Sequence, residues 1–474
     1  MKLKPYPEYK ESGLVFVDSL PAAWKTVLLK RVARIRYGLG QPPKESSTGL
    51  PMIRATNISK GNITHEGLVF VDPTEIPEKK DAFLKEGEII VVRSGAYTAD
   101  SARVTRLYAG SIVGYDMVVT PISIDSRFLQ WCLLSPYVLR DQLTPSSMRA
   151  AQPHLNAEEL GSTELLLPPP KEQTQIARFL DWKTAQIDRF IRAKRRLIAL
   201  LKEQKQALIN QAVTGAIDVR TGKPYPEYKD SGVPWLGKVP AHWEVAALRL
   251  KYEQCLGKML DSKRITGAAP VRYLRNTDVQ WDRINTRDLP VMDIAPEEYE
   301  RYTVIAGDLL VCEGGEVGRA AIWQGEITPC GFQKALHRLR PRPGTPQEPR
   351  FLLYALRIAS GRQAFSDGHV STIAHLTGEK LRAFRFAFPP LAEQTAIVEF
   401  LDEQTATIDR AADAARREIG LIQEYRTRLI ADVVTGKLDV RGVAVPEMGS
   451  IEERKAQLAA NGQPDLEALV EPAA

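Results

Sequence analysis

The stretch PPKEQTQIARFLDWKTAQIDR at 169–189 returns as PLAEQTAIVEFLDEQTATIDR at 390–410, 221 residues later. Downstream, LINQAVTGAIDVR at 208–220 returns at the same offset as LIADVVTGKLDVR at 429–441. Upstream, PHLNAEEL at 153–160 pairs with AHLTGEKL at 374–381, EGEIIVVRSG at 86–95 with AGDLLVCEGG at 306–315, and IRATNI at 53–58 with LRNTDV at 274–279. The beginning of the chain completes the set. PAAW at 21–24 matches PAHW at 240–243, and KPYPEYKESG at 4–13 matches KPYPEYKDSG at 223–232. Seven matches in order, at offsets between 219 and 221, make the chain two copies of one unit.

The copies agree closely around 4–24 and 169–220, and between these stretches only in scattered strands. A kept frame around divergent inserts points to one scaffold carrying two specificities. The inserts read as β-rich. EIIVV and DLLVC are apolar runs ending at glycine turns, and SIVGYDMVVTPISI at 111–124 reads as a strand pair. Helix-period apolar residues at 126–142 and 349–365 predict short helices. The fold class is therefore α+β: two globular α/β domains separated by two long antiparallel coiled-coil helices, in a pseudo-two-fold circular repeat. The boundaries read as a first domain over 1–168 (with its frame 1–24), a helix over 169–216, a second domain over 217–388 (with its frame 217–243), a helix over 389–441 and a poorly ordered tail over 442–474.

Neither 171–214 nor 392–435 contains a proline, while prolines at 168–170 and 389–390 mark helix starts. Thr214-Gly215 and Thr435-Gly436 mark the stops. Ile176, Leu180, Ile187, Phe190, Leu197, Leu201 and Leu208 step at seam spacing, as do Ile397, Leu401, Ile408, Ile422 and Leu429. A helix of ~43 residues would be ~65 Å long and needs a partner, either another protein or the second helix. Charge favours the second helix. Residues 171–213 hold ten Lys/Arg and four Asp/Glu; residues 392–434 hold five and nine. Gly420 stands where Ala199 stands in the first copy, which predicts a bend or a close contact. Because 219–243 repeats the N-terminus, the N-terminal frame is expected to pack where a continuation of the second helix would lie.

The whole chain of 474 residues is 44% hydrophobic and 26% charged, with a net charge of +6, a composition that permits a nucleic-acid partner. No apolar run is long enough for a membrane span, and MKLKPYPEYKESG lacks a signal-peptide core, so the expected location is cytoplasmic. Cys132, Cys255, Cys312 and Cys330 form no CxxC pair, which argues against structural zinc or a disulfide framework.

The YPEYKxSG and PAxW frames, the EQTxI helix starts, the FLDxxTAxID cores and the LIxxxVTGxxDVR helix ends together resemble the specificity subunit of type I restriction–modification enzymes. The resemblance spans about 4–441 and implies two target-recognition domains. Each would read half of a split double-stranded DNA sequence, and the helices would act as a spacer. It implies two modification subunits and the restriction subunits as partners. Catalysis would lie there: S-adenosylmethionine in the modification subunit, ATP and Mg2+ in the restriction subunit, and no cofactor or metal in this chain. Two rivals are a stand-alone DNA-binding regulator and a self-sufficient methyltransferase or nuclease. The prolines of LLLPPPKEQ and FAFPPLAEQ lack the flanking polar and aromatic residues of an adenine-methylation loop. GVPWLGKV at 232–239 lacks the Ser/Thr of a P-loop, and Glu8-Tyr9-Lys10 and Glu227-Tyr228-Lys229 lack a nuclease's aspartate strand. His154 and His375 read as residues bonding backbone near a helix start rather than metal ligands.

Bases are read by polar side chains on loops, and phosphates are held by cations and backbone N–H groups. The first domain offers Arg54, Asn57, Lys60 and Asn62, then Arg93, Ser94 and Tyr97, then Ser147, Arg149 and Gln152. The second offers Arg275, Asn276 and Asp278, then Glu313 and Glu316, then Gln333 and Lys334, then Ser366, His369 and Ser371. Arg54 and Arg275 are equivalent, which fits a shared phosphate or structural role. Arg93 and Glu313 are equivalent but opposite in chemistry, as expected of a specificity switch.

Overall fold

The computed structural model describes residues 3–77, 81–148, 152–260, 266–365 and 375–446. Contacts divide the chain into two compact units, Met1–Lys194 with Arg417–Ala474 and Arg195–Arg416. The two long helices are thus shared between the units rather than standing as separate bodies.

The first unit is organised by β1 (Ala33–Tyr37), β2 (Ile89–Val91), β3 (Ser101–Arg103) and β4 (Met117–Pro121). They form an antiparallel sheet in the order β3-β2-β4-β1. The unbroken apolar run of EIIVV follows from this central position. Ile89 and Val91 enter one core and Ile90 and Val92 another, so alternate side chains are buried on both faces. A second sheet joins Glu45–Ile53 to Val69–Val71 and, in parallel, to Ile112–Val113. The short helix α1 (Ser126–Leu134) is capped by Asp125, whose carboxylate accepts from Arg127 N and Phe128 N. The chain then enters α2 (Pro170–Val213).

The second unit repeats this topology. Strands β5 (Tyr252–Leu256), β6 (Leu309–Cys312), β7 (Ala320–Ile322) and β8 (Leu336–Pro341) run in the order β5-β8-β6-β7, all antiparallel. Leu309 and Val311 feed one core, Leu310 and Cys312 the other. Helix α3 (Pro349–Gly361) is capped by Glu348, and the chain ends in α4 (Leu391–Val434).

In the first unit the start of α2 and the end of α4 share one core: Ile176, Ala177, Phe179 and Leu180 with Leu429, Ile430, Val433 and Val434. Asp188 meets Arg426 at 3.1 Å and Lys194 meets Glu418 at 2.5 Å, so the helices are antiparallel. In the second unit the end of α2 (Ile209, Ala212, Val213) packs with the start of α4 (Ile397, Val398, Leu401), and Lys205 meets Asp409 at 2.6 Å. Exposed pairs of this kind contribute only ~0–1 kcal/mol each, so they choose the register more than they stabilise it.

Two expectations for the helices and one for the tail are met only in part. Phe190 and Leu197 lie outside the seam, 41% and 40% exposed, while Ile191, next to Phe190, is buried. Gly420 makes no close contact, since a Cβ there would meet nothing within 4 Å. The segment after 441 is not all loose: Val443 and Val445 pack on the first core, and Gln175 Nε2 donates to Val440 O and Val443 O. Residues 447–474 of the proposed tail lie outside the described residues.

The frames close each copy in the same way. Tyr6 Oη donates to Glu172 Oε1 at 2.5 Å and Trp24 Nε1 at 3.0 Å, all three side chains being buried. Tyr225, Trp243 and Glu393 repeat the node, with His242 Nε2 added 2.9 Å from Glu393 Oε2. At the end of α4, Gly436 has φ +71, and a Cβ there would lie 2.4 Å from Pro21 Cδ. Tyr9 Oη donates to Gly436 O, and Asp439 N donates to Lys4 O at 2.8 Å. The N-terminal frame therefore docks on the end of the second helix, as 219–243 docks on the end of the first: Gly215 has φ +72, and a Cβ there would lie 2.4 Å from Pro240 Cδ.

Candidate nucleic-acid interface

Antiparallel register gathers a cationic and aromatic cluster at one end of the first sheet. Met117 pairs with both Tyr37 and Val91, which brings the ends of β1 and β2 beside the turn that precedes β4. Arg93 follows β2, and its guanidinium lies 4.6 Å from the Tyr37 ring and 4.3 Å from the Tyr115 ring. His154 joins them because Ser94 and His154 pair across backbones and Leu155 N donates to Arg93 O. Arg93 Nη2 is 3.2 Å from His154 Nε2, and Ser94 Oγ is 2.7 Å from His154 Nδ1. The ring of His154 thus bonds side chains, not the backbone group expected of it. Tyr37, Tyr97 and Tyr115 are 43%, 49% and 49% exposed, and Gln152 is exposed.

Below the cluster Asp116 is buried, and its Oδ1 accepts from Arg93 N at 3.2 Å. Burial raises its carboxyl to about 6, against the pull of the Arg93 N–H and charge. A guanidinium held between two rings keeps its fork of donors in a fixed plane, the geometry that reads guanine O6 and N7. The flanking tyrosines offer faces on which a base or sugar packs. Neither Tyr37 nor Tyr115 was found by sequence reasoning. The signal available was a tyrosine beside glycine at each strand end (YGLG, GYDM).

Other first-domain candidates have different work. Asn57 is fully buried, accepting from Arg54 N and donating to Thr64 O and Glu66 O. It shapes a turn and presents nothing to DNA. Arg54 Nη2 donates to Gly67 O, within the same turn. Ser147 is buried, with its Oγ donating to Thr144 O. Lys60 is exposed but lines a separate pocket with Arg103 and Arg127. Arg149 lies outside the described residues.

The second unit brings Asn276, Glu313 and Lys334 to the equivalent strand end. Leu376 N donates to Glu313 O at 2.8 Å, the counterpart of Leu155 N to Arg93 O at 2.8 Å. Glu313 N donates to Ala335 O, beside exposed Lys334 and half-buried Gln333. Asn276 Nδ2 donates to Gly314 O at 2.9 Å. The position of Tyr37 is taken by Leu256, so among the described residues that tyrosine of the first clamp is not repeated. Arg275 donates to Asp278 in two bonds of 2.8 Å, and Glu316 accepts from Trp281 Nε1. Ser366, His369 and Ser371 lie outside the described residues. Among the described residues no group of three or more His, Cys, Asp or Glu is placed to hold a metal ion, and no helix is long and apolar enough to cross a membrane.

Residues 21–203 and 257–415 match the family model described as the type I restriction modification DNA specificity domain. The chain is similar to the type I restriction enzyme EcoKI specificity subunit of Escherichia coli (strain K12), 22% identical over 94% of this chain and 97% of that subunit. It is 23% identical to the Escherichia coli EcoBI specificity subunit over 96% of each. Two solved structures share the fold. One, described under "Structural basis underlying complex assembly and conformational transition of the type I R-M system", has a TM-score of 0.66 at 18% identity, over 88% of this chain and 99% of that one. The other, the HsdS subunit from Thermoanaerobacter tengcongensis, has a TM-score of 0.55 at 21% identity, over 88% and 98%.

Proposed function

Because the chain belongs to the type I restriction modification DNA specificity family, we propose that it reads a split double-stranded DNA sequence, one half with each unit, and scaffolds modification and restriction subunits. The observation that carries this reading is the paired strand-end site. The same backbone frame presents Arg93 between tyrosines in one copy and Glu313 in the other. An arginine fork suits guanine and a carboxylate accepts from cytosine N4, so the two copies select different bases from equivalent positions. Tyr37, Arg93, Tyr97, Tyr115 and Gln152 form the first reading face; Asn276, Glu313, Gln333 and Lys334 form the second. The chain does no chemistry itself: methyl transfer with S-adenosylmethionine, and ATP- and Mg2+-dependent steps, belong to the partners. Two copies of the modification subunit are the expected complement, since each copy of the frame offers equivalent surfaces. The work takes place in the cytoplasm.

Co-expression with a cognate modification subunit followed by methylome sequencing tests this. The expected result is one motif with two specified halves around an unspecified gap. A single contiguous motif would count against it, as would methyl transfer by the isolated chain.

A further inference from the structure

The two copies differ sharply at one equivalent place in each unit. In the second unit, Arg350 Nε lies 2.7 Å from both Asp402 oxygens, and its Nη1 and Nη2 bind Asp282 at 2.8 and 2.9 Å. Tyr354 Oη donates to Asp402 at 2.5 Å, and Glu348 N donates to Gln394 Oε1. The first unit builds the same array from Arg127, Asp181, Trp131, Asp125 and Gln173. Trp131 Nε1 donates to Asp181 Oδ1 at 2.9 Å, and Asp125 N to Gln173 Oε1 at 2.8 Å. One member is missing. The strand pairs at Ile58–Ile63 and Val279–Ile284 align Asp282 with Gly61, which has no side chain. Arg127 is left with Asp181 at 3.8 Å. A second cation is added: Arg103 stands where the second unit has Ile322, its Nε donating to Ser126 Oγ.

The outcome is a pocket of about 260 Å³ whose walls include Lys60, Arg103, Arg127, Gln130, Asp181 and Arg426. Asp188 answers Arg426 at 3.1 Å, which leaves the Lys60, Arg103 and Arg127 side in cationic excess. Gln130 is 6% exposed, and one of its amide atoms, Oε1, has no hydrogen-bond partner. Its Nε2 donates to Ser101 Oγ at 3.0 Å. We infer that this pocket is a carboxylate seat, filled in the second unit by the chain's own Asp282 and in the first by a carboxylate from outside. Asp282 supplies the template, since a planar two-oxygen group binding the outer edge of the guanidinium is what the array already accepts. The pocket belongs to a different place from the reading face. Arg103 pairs with Ile89, at the opposite end of β2 from Arg93, so the pocket and the reading face lie at different ends of that strand. The seat stands on geometry alone; only the identity of its occupant in a complex rests on the restriction–modification reading.

Thermal unfolding of the full chain in sodium acetate, against sodium chloride at equal ionic strength, tests the seat. Acetate should raise the unfolding temperature saturably in the natural sequence. Arg127→Gln should lose this response, and Arg103→Ile, which copies the second unit, should weaken it. Equal responses in all three proteins would overturn the seat. So would a loss of DNA affinity in Arg127→Gln with the acetate response intact, which would make the pocket a phosphate contact. The source is settled by adding a modification subunit. If the assembled complex no longer responds to acetate, a partner's Asp or Glu side chain fills the seat; if it still responds, the ligand is a small free carboxylate.

Discussion

Replacing Arg93 separates base reading from phosphate holding. Arg93→Ala removes two ring contacts, at 4.6 and 4.3 Å, and the contact with His154 at 3.2 Å. At half-exposed rings each cation–π contact is worth ~0.5–1 kcal/mol, so the fold should lose about 1–2 kcal/mol. That is well inside the ~5–15 kcal/mol typical of a domain, and the variant should fold. On DNA the loss should be ~1–3 kcal/mol of discrimination, about 5- to 150-fold, confined to one base pair of one half-site. The other half should keep its sequence, because Glu313 and its neighbours belong to the second unit. Arg93→Lys keeps the charge but loses the planar fork. It should restore affinity without restoring the base preference. Methylome sequencing of both variants, with competition binding on oligonucleotides altered one base at a time, reads the result. A uniform fall in methylation with an unchanged motif, rescued by lysine, would refute the base-reading role and make Arg93 a phosphate contact.

Asp116→Asn should stabilise the first unit at neutral pH. Its carboxyl is raised by burial to about 6 in the folded state, from an unfolded value near 3.8. The folded form therefore binds the proton more tightly, and the natural protein loses stability as pH rises through that window, by up to roughly 3 kcal/mol. Calorimetry across pH 4 to 7 should show this slope flattened in the variant. Glu393→Ala should cost the second unit about 3–5 kcal/mol, because Tyr225 Oη and Trp243 Nε1 are left buried without an acceptor, whereas Glu393→Gln should cost ~1–2. In the natural protein burial pushes the Glu393 carboxyl up, but bonds from Tyr225, His242 and Trp243 outweigh it and hold it low. This stability should be present above the ordinary carboxylate range and lost on acidification through the lowered value, a slope that Glu393→Gln should lack. Gly436→Ala should lower the unfolding temperature of the first unit, since a Cβ would press on Pro21 at a left-handed φ of +71; a cost of ~2 kcal/mol or more is expected. An unchanged transition would detach the N-terminal frame from the helix end.

The repeat made the architecture legible, since two copies read against each other expose frames, helix starts and glycine stops without any partner sequence. Periodicity was less informative inside the helices. It cannot tell Phe190 from Ile191 when only one side of a two-helix pair is covered, and seam spacing points to the exposed ring. In the candidate site, Arg93, Ser94 and Glu313 were found because they follow recognisable strands. Tyr37 and Tyr115 were not, because they reach Arg93 through strand pairing rather than sequence proximity. Asn57 and Ser147 were misassigned for a related reason: polar residues in turns satisfy backbone groups as often as they face solvent, and composition does not distinguish the two.

The buried acids of the two sheets show how far one copy can drift without losing the scaffold. Glu88 and Asp308 precede the central strands and are 3% and 1% exposed. Glu88 is met by Arg36 from β1 at 2.5 Å and by Thr120 Oγ1 at 2.7 Å. Asp308 is met by Arg340 from β8, at 2.5 and 2.9 Å. The registers Tyr37↔Met117 and Leu256↔His337 place Arg340 where the first unit has Thr120, and Cys255 where it has Arg36. The acid is kept and the cation has moved to the neighbouring strand, because a buried carboxylate must be paired but can be paired from either side. Removing one partner of such a pair costs ~3–5 kcal/mol. Arg36→Cys should therefore destabilise the first unit by about that amount. Adding Thr120→Arg, which copies the second unit, should recover much of the loss, and a double-mutant cycle by thermal unfolding measures the coupling. If the double variant is no more stable than Arg36→Cys, the cation's position is fixed by packing peculiar to each copy, and the exchange inferred from the pseudo-symmetry is wrong.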